Sequence, residues 1–263
     1  MVANTFNVDP LLQDDVQSFW TFEQSQTDQG GGPILPDAHA ELIFNFSASH
    51  ILDLASGQQF EMPSVSLNGL QDRPLHFRIK GPCQFIAVRL NAWAMRRFID
   101  LPDSFCTLPA IPLGGIWKDF ARTLEATFRR SGYLEAIACL QQFILDMRRP
   151  ESNLASIRAA GELLDVSLGN VSLDDLALRS NLSPRQFERQ FKYWTGVSPK
   201  TYARLIRHET ARRLLTSDPN HSVVALAQDF GYTDQAHFIH DFKTFTSVTP
   251  GQYVARIWAS QQQ

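Results

Sequence analysis

The chain reads as an α+β protein, with a β-rich N-terminal half of barrel or sandwich type carrying flanking helices and an all-α C-terminal half. Three observations predict this. Short apolar runs punctuated by Gly, Pro, Asn and Asp fill residues 40–90, the pattern of short strands joined by turns. After Trp93 the apolar spacing changes to three and four, the period of helices packed on one side. Residues 171–253 then carry one small pattern twice, 51 positions apart.

The elements follow in order. Strands are expected at 40–46 (AELIFNF), 50–54, 65–67, 75–79 and 84–90. Gly30–Pro33 and Pro36–Asp37 precede them, and Asn68–Gly69, Asp72–Pro74 and Gly81–Pro82 separate the later ones. Phe44, Phe46, Phe77, Phe85 and Trp93 fall at strand spacing and read first as core, with an apolar pocket as the alternative. Helices are expected at 94–100, ended by Pro102, and at 115–130 and 133–149, separated by Ser131–Gly132. The last shows Ile137, Leu140, Ile144 and Met147 on one stripe. That stripe packs on its own domain or forms a dimer face. The polar run at 148–153, with Pro150, divides the chain into residues 1–150 and 151–263.

The C-terminal half is expected to hold short helices throughout. The first covers 154–166, and residues 168–170 break it. Ser172 caps a helix at 173–179, with Asp175 three residues on. Ser183 caps the next, with Pro184 at its first position, where a missing N–H costs nothing. Gly196 ends it, and Ser198–Pro199 opens a long helix to about 215. The second copy repeats this at 223–230 and 234–246, with a last helix from Pro250. Phe187, Phe191, Lys192, Thr195, Val197, Ser198, Pro199 and Tyr202 recur as Phe238, Phe242, Lys243, Thr246, Val248, Thr249, Pro250 and Tyr253. Two copies are too few for a solenoid. They read as tandem helix-turn-helix motifs at about 172–195 and 222–246.

Charge narrows the partner. The whole chain is at −3, but its halves differ. Residues 1–150 hold 12 Lys/Arg against 16 Asp/Glu, whereas 151–263 hold 12 against 11. Within the second half, residues 179–213 carry nine bases and two acids, a net of +7 that attracts a polyanion. No apolar run is long enough for a membrane helix, and the acidic start lacks signal-peptide features, so a cytoplasmic protein with no membrane partner is expected. Cys83, Cys106 and Cys139 are widely spaced and form no CxxC pair, so they read as buried apolar residues. His39 and Glu41 share a strand face and could form half of a metal site in a barrel. No second ligand cluster follows, and the expectation is no metal and no cofactor. The glycines at 30–32 follow polar residues and precede Pro33, which argues against a phosphate loop. No nucleophile elbow, P-loop, dinucleotide fingerprint or zinc-protease motif occurs, so an enzyme is not expected.

The repeat has its own chemistry. A helix fits the major groove of DNA, where Arg suits the paired acceptors of guanine and Glu accepts from cytosine. Arg185, Glu188 and Arg189 share one face at i, i+3 and i+4, so they are the expected base readers. Gln186, Lys192 and Arg179 flank them and suit phosphates. The matching face of the second copy offers Gln235, His237, Ile239 and His240, with Lys243 behind. It carries no arginine, so less base discrimination is expected there. The connecting helix, about 18 residues or roughly 27 Å, would hold two such helices near adjacent grooves, about 34 Å apart. It is expected to be apolar on one side (Tyr202, Leu205, Ile206, Leu214) and basic on the other (Arg204, Arg207, Arg212, Arg213).

These residues resemble the DNA-binding domain of the AraC/XylS family of transcription regulators. The likeness covers about the last 100 residues. In the first copy it is carried by Leu176–Ala177, Leu182–Ser183, Phe187, Arg189, Phe191–Lys192, Gly196 and Ser198–Pro199. In the second it is carried by Leu226–Ala227, the run from Asp229 to Tyr232, Phe238, Phe242–Lys243 and Thr249–Pro250. Ser247 departs from the pattern, standing where the family usually has glycine, and His240 stands where arginine is common. The resemblance implies a sequence-specific regulator that binds double-stranded promoter DNA, with Arg185, Glu188 and Arg189 at base-reading positions. It implies an N-terminal regulatory domain that senses a small-molecule effector or dimerises, and it allows RNA polymerase as a further partner. Two alternatives stay open: an enzyme or metal-dependent barrel fused to a DNA-binding tail, and a ligand-independent regulator.

Overall fold

The computed structural model describes residues 2–24, 33–47, 50–53, 57–102, 105, 110–150 and 154–261. The glycine run at 30–32, Leu54, Cys106, the side chain of Phe77 and residues 151–153 of the boundary lie outside the described residues. The N-terminal half holds β1 (Val2–Phe6), β2 (Val16–Gln24), β3 (Pro33–Ile34), β4 (His39–Asn45), β5 (His50–Asp53), β6 (Gln59–Glu61), β7 (Val65–Asn68), β8 (Leu75–Lys80), β9 (Cys83–Asn91) and β10 (Ile111–Pro112). Helices α1 (Met95–Phe98), α2 (Ile116–Ser131) and α3 (Tyr133–Met147) are interspersed with or follow the last strands.

The strands form two antiparallel sheets, ordered β1-β2-β9-β4-β7-β10 and β3-β8-β5-β6. The sandwich reading holds and a closed barrel does not form. In the larger sheet β1 and the two-residue β10 remain separate edges, so no ladder closes the ring. Alternation sets the faces. Ala40, Leu42 and Phe44 of β4 point into the main core, where Phe44 meets Trp117 and Phe120 of α2, and Phe46 stacks on Phe128. On the other face Cys83, Phe85 and Ala87 pack with Trp20, Phe22, Ile43, Met62 and Ile79, the last from β8 of the smaller sheet. Phe44, Phe46, Phe85 and Trp93 are thus core.

Strand β2 escapes a simple alternation count. A register shift between Val16 and Ser18 moves Val16 out of step with Phe19 and Thr21. The extra residue breaks the period of two on which a strand is recognised.

The C-terminal half comprises α4 (Leu154–Val166), α5 (Leu173–Arg179), α6 (Pro184–Thr195), α7 (Pro199–Ser217), α8 (Val223–Asp229), α9 (Gln235–Thr246) and α10 (Pro250–Gln261). One hydrophobic core runs without a break from Leu12 in the N-terminal half through α4, α5 and α6 to α7. Gly161 shows how tightly α4 is applied: a Cβ there would lie 2.3 Å from the Trp93 ring. The second helix-turn-helix unit has a smaller core of Ala211, Leu215, Leu226, Ala227, Phe230, Phe238 and Phe242, while Phe245 of α9 reaches into the main core.

Candidate nucleic-acid interface

Helix α6 starts in a complete capping box. The Ser183 hydroxyl accepts from the Gln186 amide at 3.4 Å, and Gln186 Oε1 accepts from the Ser183 amide at 3.0 Å. Phe187 and Phe191 are fully buried beneath the helix. Arg185, Gln186, Glu188, Arg189 and Lys192 are all exposed on the opposite side. The Gln186 carbonyl is already engaged in the cap, which leaves its amide NH2 free to donate. At the far end Gly196 adopts φ 80° and its N–H returns to the Lys192 carbonyl.

The recurrence of Thr and Val two residues apart has a physical basis. Thr195 Oγ1 donates in bifurcated fashion toward the carbonyls of Phe191 (2.8 Å) and Val197 (3.0 Å). Thr246 does the same toward Phe242 (2.8 Å) and Val248 (2.7 Å). Each buried hydroxyl ties the end of its helix to the turn that follows it.

Helix α9 is the second copy of α6. Asp234 caps it through the His237 amide at 2.8 Å. Gln235, His237, His240 and Lys243 are exposed. His237 is nevertheless held, with Nδ1 3.1 Å from Thr233 Oγ1 and its ring edge-on to Tyr232. The repeat is not uniform. Leu176–Ala177 and Leu226–Ala227 are 50 positions apart, whereas the helices that follow are offset by 51. One extra residue therefore lies in the second turn. Positive φ falls at Asn181 (53°) in the first turn and at Gly231 (68°) in the second, again 50 apart.

The linking helix α7 departs from the expected basic side. Arg204 Nε donates to Asp241 Oδ1 at 2.7 Å, and Tyr232 donates to Asp241 Oδ2 at 2.7 Å. Burial alone would raise the Asp241 pKa, but the Arg204 and Tyr232 hydrogen bonds hold it below the usual range. Arg207 lies 5.0 Å over the Tyr232 ring and donates to the Phe230 carbonyl. These two arginines fasten the second unit to α7. Arg213 stays exposed and Arg212 is half-buried. Sequence reasoning missed Asp241 because its partner is 37 residues away and nothing local marks the pair.

The first unit is fastened to the N-terminal half. Arg96 of α1 is buried, donates from Nε to the Tyr193 carbonyl at 2.6 Å and stacks 4.0 Å from the Tyr193 ring. A second junction joins β4 and β9 to α7. Arg89 Nη2 sits 2.6 Å from Asp37, 3.1 Å from His39 Nδ1 and 3.2 Å from Glu209. Burial would raise the Glu209 pKa, but His39, Arg89 and the Ala38 amide bring it down to about 2. The suspected His39–Glu41 pair therefore divides: Glu41 faces Arg89 at 3.6 Å, and His39 turns to Glu209. Asp37, His39 and Glu209 have the donor atoms for a cation. The Arg89 guanidinium already lies among them, and its charge opposes one. Cys83 is buried in the intersheet cluster and Cys139 is half-buried. Among the described residues no helix is long and apolar enough to cross a membrane.

Two exposed, capped helices at equivalent positions of a duplicated unit define a tandem helix-turn-helix protein. Comparison with known families agrees. A family described as "Helix-turn-helix domain" matches residues 176–256, and one described as "Domain of unknown function (DUF6597)" matches residues 4–107. The chain is 34% identical over 82 residues to the HTH-type transcriptional regulator MtrA of Neisseria gonorrhoeae, covering 31% of this chain and 27% of that one. It is 35% identical over 81 residues to the HTH-type transcriptional regulator Rv1931c of Mycobacterium tuberculosis, covering 31% of each. The match thus spans under a third of the length of these relatives. Among solved structures, ToxT of Vibrio cholerae aligns over 90% of this chain and 96% of its own at 12% identity and TM-score 0.46. Residues 176–256 thus form a helix-turn-helix domain of the AraC type.

Proposed function

We propose that this protein is a sequence-specific DNA-binding transcription regulator, with residues 151–263 as the DNA-binding domain and residues 1–150 as its regulatory domain. One observation carries the reading: Arg185, Glu188 and Arg189 stand together and exposed on a helix capped at both ends and packed on the main core. On that rigid base Arg185 and Arg189 donate to guanine edges, Glu188 accepts from cytosine, and Lys192 meets phosphate. The α9 face, with Gln235, His237, His240 and Lys243, adds weaker discrimination in a neighbouring groove. Selection of bound duplexes from a random pool tests this. An enriched motif is expected; recovery of unselected sequence contradicts it.

A cleft of about 750 Å³ between the N-terminal half and α7 favours an effector-sensing role for residues 1–150 over one in assembly alone. Gln17, His39 and Arg89 line one side, and Arg212, Arg213 and Tyr253 line the other. A small polar molecule there would bridge the sheet to the helix that carries the second unit, and so change how the two recognition helices present to a promoter and to RNA polymerase. Native mass spectrometry of the protein from its own host tests this and the subunit number together. A retained organic mass is expected, and a clean species that no metabolite shifts argues for the ligand-independent alternative.

A further inference from the structure

We propose that the N-terminal half itself touches the DNA backbone, through Arg73 on the loop between β7 and β8. The inference rests on the DNA-binding reading above and extends the interface beyond the helix-turn-helix units.

A cleft of about 560 Å³ separates this loop from the junction of α6 and α7. Asp72 and Arg73 line it from the loop, and Lys192, Ser198 and Thr201 line it from the junction. The loop is held: Leu70 is buried in the main core, and Gln71 Nε2 donates to the Gly69 carbonyl at 3.1 Å. Arg73 and Lys192 are exposed, and neither makes an ion pair among the described residues. Both charges therefore remain available to an outside anion.

Position points to the source of that anion. Lys192 is seven residues, two turns, beyond Arg185, so it shares the face that carries Arg185 and Arg189. The cleft consequently opens beside the base-reading face. A duplex lying along α6 passes Lys192 and brings its next phosphates to Arg73. The N-terminus of the 19-residue α7, with Ser198 as cap, adds favourable dipole to the same place. Asp72 sits in the cleft with the opposite sign, which supplies a built-in contrast: removing its charge strengthens what removing that of Arg73 weakens.

The test uses the full chain and a non-specific duplex, with fluorescence anisotropy over a salt series. Circular dichroism melts verify that each variant folds. Arg73→Ala is expected to lower the slope of log K against log salt by about 0.9, the loss of one phosphate contact. Asp72→Asn is expected to tighten binding. Arg130→Ala, on the exposed side of α2, makes the same change in net charge elsewhere and is expected to leave the slope as it was. A slope for Arg73→Ala equal to wild type or to Arg130→Ala overturns the inference, as does weaker binding by Asp72→Asn. If wild type itself shows no salt-dependent duplex binding, the DNA-binding reading fails instead.

Discussion

The two helix-turn-helix units share one framework and differ in what surrounds it. The first shares the main core with the N-terminal half and is fixed there by Arg96 on Tyr193. The second has its own small core, sends only Phe245 into the main one, and is tied to α7 through Arg204 and Arg207 and to the loop after α4 through Asn170. Their exposed faces differ in the same sense. The first unit presents two arginines and a glutamate, and the second presents glutamine and two histidines. Their caps differ too, with Gly196 in the left-handed region in one and Ser247 in the other. The chain thus places the proposed base-reading groups in the unit that shares the main core with the N-terminal half.

The sharpest way to break this contrast is Asp241→Ala. It strands Arg204 and Tyr232, and removing one member of such a pair costs about 3–5 kcal/mol. Loss is expected to be confined to α8, α9 and α10, visible as early hydrogen exchange there while α4, α5 and α6 stay protected. Uniform loss of protection would show that the two units do not behave separately.

Next in size is the difference in reading. Arg189→Ala is expected to relax preference at one base position and to cost about 1–3 kcal/mol, whereas His240→Ala costs less. Equal losses on selected and random duplexes would remove Arg189 as a base reader. Lys192→Ala is expected to weaken all sequences alike and lower the salt slope by about one unit.

Acid sharpens the contrast through α7. His208 is buried between Phe242 and Phe245, and burial, then the Arg212 charge, lowers its pKa from 6.5 to about 3. Between those values the unfolded chain binds a proton that the folded one excludes. The His208 contribution therefore falls as pH drops below 6.5, by up to about 1.4 kcal/mol per pH unit. Glu41, raised by burial to about 7, and Asp165, raised by burial to about 6, bind protons in the folded chain and oppose it over the same range. Glu209, lowered from 4.5 to about 2, adds to the loss below pH 4.5. Urea unfolding at pH 7 and pH 5 is expected to show His208→Phe gaining stability relative to wild type at the lower pH. A difference between the two that does not change with pH would remove His208 as the group responsible.

The smallest effect lies at the caps. Ser247 holds φ 62°, a conformation that costs a side-chain-bearing residue about 1 kcal/mol or more. Ser247→Gly is expected to raise stability by about that amount, and Gly196→Ser to lower it similarly. Thermal melts of the two variants check both signs.

What was legible beforehand follows from how local each signal is. Phe187 with Phe238, and Thr195 with Thr246, were visible because each copy repeats its own short-range contacts. Ser183–Pro184 and Gly196 marked helix ends for reasons confined to one turn. The extra residue in the second turn was hidden by identities that resume after it. Strands β1 and β2 were missed, β2 because its bulge breaks the alternation. His39 was seen but its partner was not, since Glu209 is brought to it only by the docking of α7 on the sheet. Arg204 and Arg207 were counted as surface charge because sequence shows the charge and not the acid or ring that meets it.

The most direct measurement is a hydroxyl-radical footprint of the full-length protein on its selected duplex. Two protected patches about one helical turn apart are expected, with Asp241→Ala retaining the patch under the first unit and losing the other. A single patch with the wild-type protein would contradict the tandem reading.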